Sequence, residues 1–147
     1  MAYKSTLVAK KILNLAAKKA EVLTPMQLIK LVYLSHCWML GLYRKPLVEE
    51  AMEAWQYGPV VPELYSAIKH YRSNPVLQID CEDEEVDDEA LDIITQVYDK
   101  YGSLTGIELS ILTHEKGSPW ESARNSGSTT ISNDLIAYHY KKLAAHG

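Results

Sequence analysis

Apolar positions recur along most of this chain at helical spacing. Within residues 5–20, Val8, Ile12, Leu15 and Ala16 share one face with lysines opposite, which predicts an amphipathic helix. Thr24, Pro25 and Gln27 then form a capping-box pattern with proline at the first helical position, and Leu23 and Leu28 flank it as a hydrophobic staple. The helix this predicts runs to Gly41, a natural stop. Leu28, Leu31, Ser35, Trp38 and Leu42 make one stripe, and Ile29, Val32, Tyr33, Met39 and Leu40 make most of the remaining circumference apolar. A helix greasy nearly all round belongs at the centre of a domain.

The pattern then changes period. Residues 52–57 alternate, with Met52, Ala54 and Gln56 on one side and Glu53, Trp55 and Tyr57 on the other, as a short strand would. Within "GPVVPELY", Gly58 supplies a sharp turn, Pro59 keeps the residue before it out of helix, and Pro62 suits a first helical position. Leu64, Tyr65 and Ile68 aim that helix inward, and it is expected to end near Tyr71 or Arg72. Residues 75–88 read as a connector with one apolar pulse, "VLQI". Asp87 or Asp88 opens a helix carrying Leu91, Ile94, Val97, Tyr98 and Tyr101.

Two further capping boxes, Thr105 with Glu108 and Ser118 with Glu121, open "GIELSILTHEK" and a short helix bearing Pro119 and Trp120. The loop "NSGSTTIS" ends in a short strand at residues 129–131, and Ser132 caps a last helix with Leu135, Ile136, Tyr138, His139 and Leu143. The fold expected over residues 1–147 is one compact, mainly α domain of six to seven helices. A minor two-stranded β ribbon would pair its two extended pieces.

Composition narrows the class. The chain has 147 residues, 47% apolar and 23% charged, which suits one folded domain with a real core. Phenylalanine is absent while tyrosine occurs ten times. A polar-tipped aromatic favours half-buried positions and interfaces, although biased filling of an ordinary core accounts for it equally well. Lysines spread through the first twenty residues argue against a secretory leader, and the best apolar run, interrupted by Lys30 and His36, is too short to span a membrane. Cys37 and Cys81 form no CxxC pair, so a reducing, cytoplasmic setting is expected.

Charge is uneven. Residues 1–48 carry eight Lys/Arg against Glu21 alone, about +7, whereas nine of the thirteen residues 80–92 are acidic. The basic head could meet nucleic acid or be the solvated face of its helix. The acidic belt, with Asp83, Glu84 and Glu85 at its middle, could steer a basic partner or be a solvated loop and helix start.

Candidate chemistry is sparse. No two histidines stand at i, i+4, and "HEKGS" places Ser118 where a zinc-protease helix needs its second histidine. There is no nucleophile elbow, no phosphate-binding lysine loop and no cofactor fingerprint. His114, near a helix C-terminus, reads as a group that satisfies carbonyls, and Trp120 as a core anchor. The helix after Pro62 offers only Lys69, His70 and Arg72 for base contact, which is thin for a recognition helix.

Taken together, Lys30-Leu31 with Tyr33, Gly41 to Leu47, Ala54 to Tyr65, and Leu109 to His114 followed by Pro119-Trp120 resemble the Panacea domain of SocA-type antitoxins. The closing "TISNDLIAYHYKK" also fits, while "GLYRKPL" is longer than the family's usual turn. The resemblance implies a protein of mobile elements and prophages that neutralises a neighbouring-gene toxin by direct binding, with no catalytic residues and no cofactor. At least one relative delivers its toxin to a ClpXP-type protease. Some carry an added DNA-binding segment, for which residues 1–147 leave no room beyond the core domain. A DNA-binding regulator of mobile elements and an enzyme of another kind are the competing classes, and homo-oligomerisation stays open. In this light Gly58, Pro59, Pro62, His114, Pro119 and Trp120 are structural motif positions. Trp55, Tyr57 and Tyr65 are the candidate contacts, together with Asp83, Glu84 and Glu85.

Overall fold

The side chains that predict the helix starts also make them. In the computed structural model, which describes residues 2–146, Thr24 accepts from the Gln27 N–H while the Gln27 side chain takes the Thr24 N–H at 2.8 Å. Thr105 and Glu108 repeat the box. At Ser118 only half of it forms: Ser118 accepts from the Glu121 N–H, but the Glu121 carboxylate turns to the N–H of Gly117, 3.0 Å away. Asp87 caps with the Ala90 N–H, and Ser132 with that of Leu135. The elements in order are α1 (Ser5–Lys18), α2 (Pro25–Tyr43), β1 (Met52–Trp55), β2 (Gly58–Val60), α3 (Pro62–Ile68) with a 3-10 turn (Lys69–Tyr71), α4 (Asp88–Tyr101), α5 (Gly106–Thr113), α6 (Pro119–Asn125), β3 (Thr130–Ile131) and α7 (Asn133–His146). The mainly α fold, with seven helices among the described residues, is the one the sequence predicts.

The helix α2 is the hub. Fourteen of its nineteen residues are buried, and α1, α4, α5, α7, β2 and α3 all pack on it. It does not stop at Gly41. It continues to Tyr43 and ends at Arg44, whose left-handed backbone (φ 60°) returns its N–H to the Leu40 carbonyl. Gly41 serves packing instead: a Cβ there would lie 2.7 Å from the Tyr140 Cβ, so the missing side chain is what lets α7 approach. Two further predicted faces shift. On α4, Leu91 is exposed and Ile93 takes its place in the core; on α7, Tyr138 and Leu143 are exposed while Ile136 and Tyr140 are buried. In each case several rotations of the helix bury a plausible stripe, and the neighbour's shape selects one.

The ribbon is three-stranded, not two-stranded, in the order β2-β1-β3, all antiparallel. The strand absent from the sequence reading, "GPV", contains a proline, yet it lies at the sheet edge, where a missing N–H does no harm. Ala54, opposite Pro59, gives its N–H to Thr129 on the β3 side. The Pro59 carbonyl therefore faces away from the sheet.

Charge compensates within the chain. Lys11 pairs with Asp83 at 3.0 Å, Lys19 with Asp99 at 2.9 Å, and Lys45 with Glu89. Lys10 reaches the Cys81 carbonyl, and the Tyr3 hydroxyl holds Asp87. Lys10, Lys11 and Tyr3 thus cradle the acidic connector, while Lys19 and Lys45 answer acids of α4. Glu50, distant in sequence, takes both the N–H and the hydroxyl of Ser5, supplying the cap that Lys4 does not.

His36 ties three segments together. Its Nδ1 accepts the N–H groups of Leu47 and Val48 at 3.3 and 3.1 Å, which leaves the proton on Nε2 to be donated to Asn133 of α7 at 2.9 Å. Burial pushes its pKa below the ordinary 6.5. The unfolded chain therefore binds the proton first as pH falls. Stability should be intact above about 6.5 and decline as pH drops below that value towards the folded pKa. Melting followed by circular dichroism between neutral and mildly acidic pH should show this decline. It should shrink in His36→Ala, which melts lower throughout. His139, also depressed by burial, acts in the same direction, so the comparison belongs in a His139→Asn background.

Candidate functional site: a groove beneath the hairpin

The hairpin joining β1 to β2 turns at Gln56 and Tyr57, and the positive φ falls on neither of them but on Gly58, at 123°. A glycine is needed there for a second reason. A Cβ would sit 2.8 Å from the Lys30 Nζ and 3.6 Å from the His114 Nδ1. Lys30, on α2, donates to the outward-facing Pro59 carbonyl at 2.8 Å. From α5, Ser110 donates to the Tyr57 carbonyl at 2.8 Å and lies 3.4 Å from the His114 Nδ1. The His114 ring lies against Trp120 of α6, whose indole N–H donates to the Trp55 carbonyl at 2.6 Å. Side chains from three helices distant from it in sequence, α2, α5 and α6, therefore clamp one turn.

Under the hairpin, between α2 and α3, lies a groove of about 600 Å³. Trp55 and Tyr65 pack edge-to-face at 5.2 Å and form one wall together, and Met26, Ile29 and Val60 add apolar lining. Lys30 lies at its floor, 6% exposed. Among the described residues no carboxylate lies within ion-pair distance of it, and one of its three N–H groups is used, on Pro59. Burial alone lowers its pKa to about 8, which still leaves it mostly charged at neutral pH. Lys69, lying over the Tyr65 ring, and Arg72 complete the rim.

Of the residues singled out from the sequence, Trp55, Tyr57 and Tyr65 all line this groove. Trp55 is half-buried and faces Tyr65, whereas Tyr57 stands 75% exposed at the hairpin tip, beyond the end of the strand, instead of sharing a strand face with Trp55. Asp83, Glu84 and Glu85 do not join them. Asp83 is paired with Lys11, whose ammonium holds its carboxyl below the usual range. Glu84 and Glu85 edge a separate polar depression beside Tyr3 and Lys4. Pro59, Gly58, His114 and Trp120 belong to the clamp, while Pro62 and Pro119 hold the first positions of α3 and α6. His114 satisfies carbonyls at the end of α5, as expected from the sequence, through its backbone N–H, which reaches those of Ser110 and Ile111, while its ring lies against Trp120.

Sequence reasoning passed over Lys30 as a site residue, along with Ser110 and the outer face of α5. The signal for Lys30 was available: a lysine on a helix apolar all round has no polar face to occupy. On α5, Leu109 and Thr113 are buried while Ile107 is 70% and Ile111 57% exposed. Gly106 at its start abuts Met26, so this apolar face adjoins the groove wall. The arrangement offers unfilled cationic donors above apolar and aromatic walls. No group of three or more metal-ligating side chains converges among the described residues.

Gly58→Ala should lower stability by about 1–3 kcal/mol, because a side chain must adopt a left-handed backbone and displace the Lys30 ammonium. Gly58→Val should cost more. Thermal melting checks both, and a wild-type melt for either would mean the turn forms without these constraints.

The family model for antitoxin SocA-like proteins, Panacea domain, matches residues 28–121. That span starts inside α2 and ends inside α6, and contains the whole clamp from Lys30 to Trp120. No curated protein and no solved structure matches the chain.

Proposed function

The chain belongs to the family of SocA-like antitoxins with a Panacea domain, and from that premise we propose that it neutralises a toxin encoded beside it by binding the toxin directly. The binding face is the outer side of α5 together with the hairpin tip and the adjoining groove. The observation that carries this is a set of exposed apolar side chains: Ile107 and Ile111 at successive turns of α5, Met26 against Gly106 at its start, and Tyr57 at the hairpin tip. Monomeric proteins rarely expose contiguous apolar patches without an interaction to serve. Tryptophan, tyrosine and arginine, supplied here by Trp55, Tyr57, Tyr65 and Arg72, are also the residues enriched in binding hot spots.

Binding, not bond chemistry, is the action in this reading. Blockade of the toxin and its delivery to a ClpXP-type protease share that first step, and the toxin's half-life with and without such a protease separates them. The cytoplasm as its compartment is part of the same proposal, supported by the two cysteines being free thiols and by no helix among the described residues being long and apolar enough to cross a membrane.

Co-expression of the adjacent reading frame with this chain tests it, scored by growth and by co-purification. Wild type should relieve growth arrest and retain the neighbour's product. Ile111→Glu, at an exposed position, should melt within about a degree or two of wild type, yet weaken retention by roughly tenfold or more. Arrest unrelieved by the wild-type chain would remove the antitoxin reading. Full relief by Ile111→Glu would move the binding face elsewhere.

A further inference from the structure

The groove beneath the hairpin holds a charge that the fold leaves unanswered. Lys30 is buried, its single acceptor is the Pro59 carbonyl, and no acid of the chain pairs with it among the described residues. Lys69 and Arg72 stand at the rim and likewise take part in no ion pair among those residues. The acid carried by the hairpin itself, Glu53, is engaged by the Trp55 indole N–H at 2.8 Å. A buried charge without a partner opposes folding, and the low-dielectric surroundings that penalise it strengthen its attraction to an arriving anion.

The walls narrow the anion's identity. Most of the groove is carbon: the Trp55–Tyr65 pair on one side, Met26 and Ile29 on the other. A bare phosphate would leave those walls in water. At about 600 Å³ the space suits two or three side chains of a peptide.

We propose that this groove receives an acidic segment of the toxin chain, with a carboxylate set on Lys30, Lys69 and Arg72 and a large apolar side chain beside it against Trp55 and Tyr65. The identity of the partner rests on the antitoxin reading; the chemistry of the segment rests on the groove. The carboxylate would fill the free N–H groups of Lys30 with charge-assisted hydrogen bonds. The apolar neighbour would close the groove to water and so strengthen them. This is the reverse of the polarity suggested by the acidic connector: the partner brings the acid.

The test uses the whole chain, immobilised, and a phage-displayed library of random peptides about twelve residues long. Selected peptides should place Asp or Glu within two positions of Trp, Phe, Leu or Met. Replacing that acid by its amide should weaken binding by roughly tenfold, and added salt should weaken it further. Lys30→Gln, which keeps a donor for Pro59, and the rim variant Lys69→Ala/Arg72→Ala should each lose the selected peptides while melting close to wild type. Selected peptides without acids, no selection at all, or equal binding by these variants would each overturn the proposal. Lys30-dependent binding of AMP or inorganic phosphate that displaces the peptides would overturn it in favour of a small anion. The growth assay keeps the two readings apart. Failure of wild type to relieve arrest sinks the antitoxin reading whatever the library returns. Relief by Lys30→Gln/Lys69→Ala/Arg72→Ala equal to that by wild type sinks the acidic-segment inference alone.

Discussion

Everything in this structure depends on enclosing α2. A helix with no polar face cannot lie on a surface, so other elements must cover it on every side, and α1, α4, α5, α7, α3 and the hairpin do so. Three of its polar side chains then become fixed points, because most buried donors and acceptors find a partner, although the buried Tyr33 hydroxyl of the same helix has none among the described residues. Ser35 returns to the Leu31 carbonyl of its own helix. His36 reaches out to residues 47 and 48 and to α7, and Lys30 to the edge of the sheet. Close packing along the same helix is set by Gly41, where α7 comes within van der Waals contact of the backbone.

The hairpin shows how such a fixed point becomes a site. Its edge strand turns a carbonyl outward, Lys30 takes it, and Gly58 must lack a side chain for the ammonium to fit. Ser110, His114 and Trp120 hold the other side of the turn through its carbonyls and one aromatic contact. The clamp makes a rigid wall out of a short two-strand turn, which alone would be only marginally stable in water. A rigid wall carrying Trp55, with Tyr65 packed against it, suits recognition because little ordering remains to be done on binding.

Electrostatics divide the molecule differently from a count of charges. Opposed patches of about +7 and nine acids suggest two surfaces for two partners. Instead, Lys11 and Tyr3 hold Asp83 and Asp87 at the connector, while Lys19 and Lys45 pair with Asp99 and Glu89 of α4. Exposed pairs of this kind contribute little stability, but they hold an extended connector to the helix it crosses, alongside the buried Val76 and Ile79. The unanswered charge lies on the far less conspicuous Lys30, where one cation in a dry setting outweighs several in water.

The local signals were legible in the sequence. Thr24, Asp87, Thr105, Ser118 and Ser132 announce five helix starts, because a cap is chemistry between residues three apart. The all-apolar circumference of α2 places it at the centre for the same local reason. What the sequence could not supply lies between distant segments. Glu50 capping α1 and the bond from His36 to Asn133 involve residues 45 and 97 positions apart, and no periodicity records such distances. Gly41 looks like a stop until α7 is seen against it, and "GPV" looks like a corner until β1 pairs with it. Leu91 and Tyr138 belong to stripes that burial did not choose. So residue order determined which segments are helical, where most of them begin and which one is central. Tertiary packing alone decided which faces are buried, that Asp83 is spent within the chain, and that Lys30, Trp55, Tyr65, Gly58 and His114 meet at one hairpin. Convergence of that kind is a property of three-dimensional proximity, and spacing along the chain does not encode it.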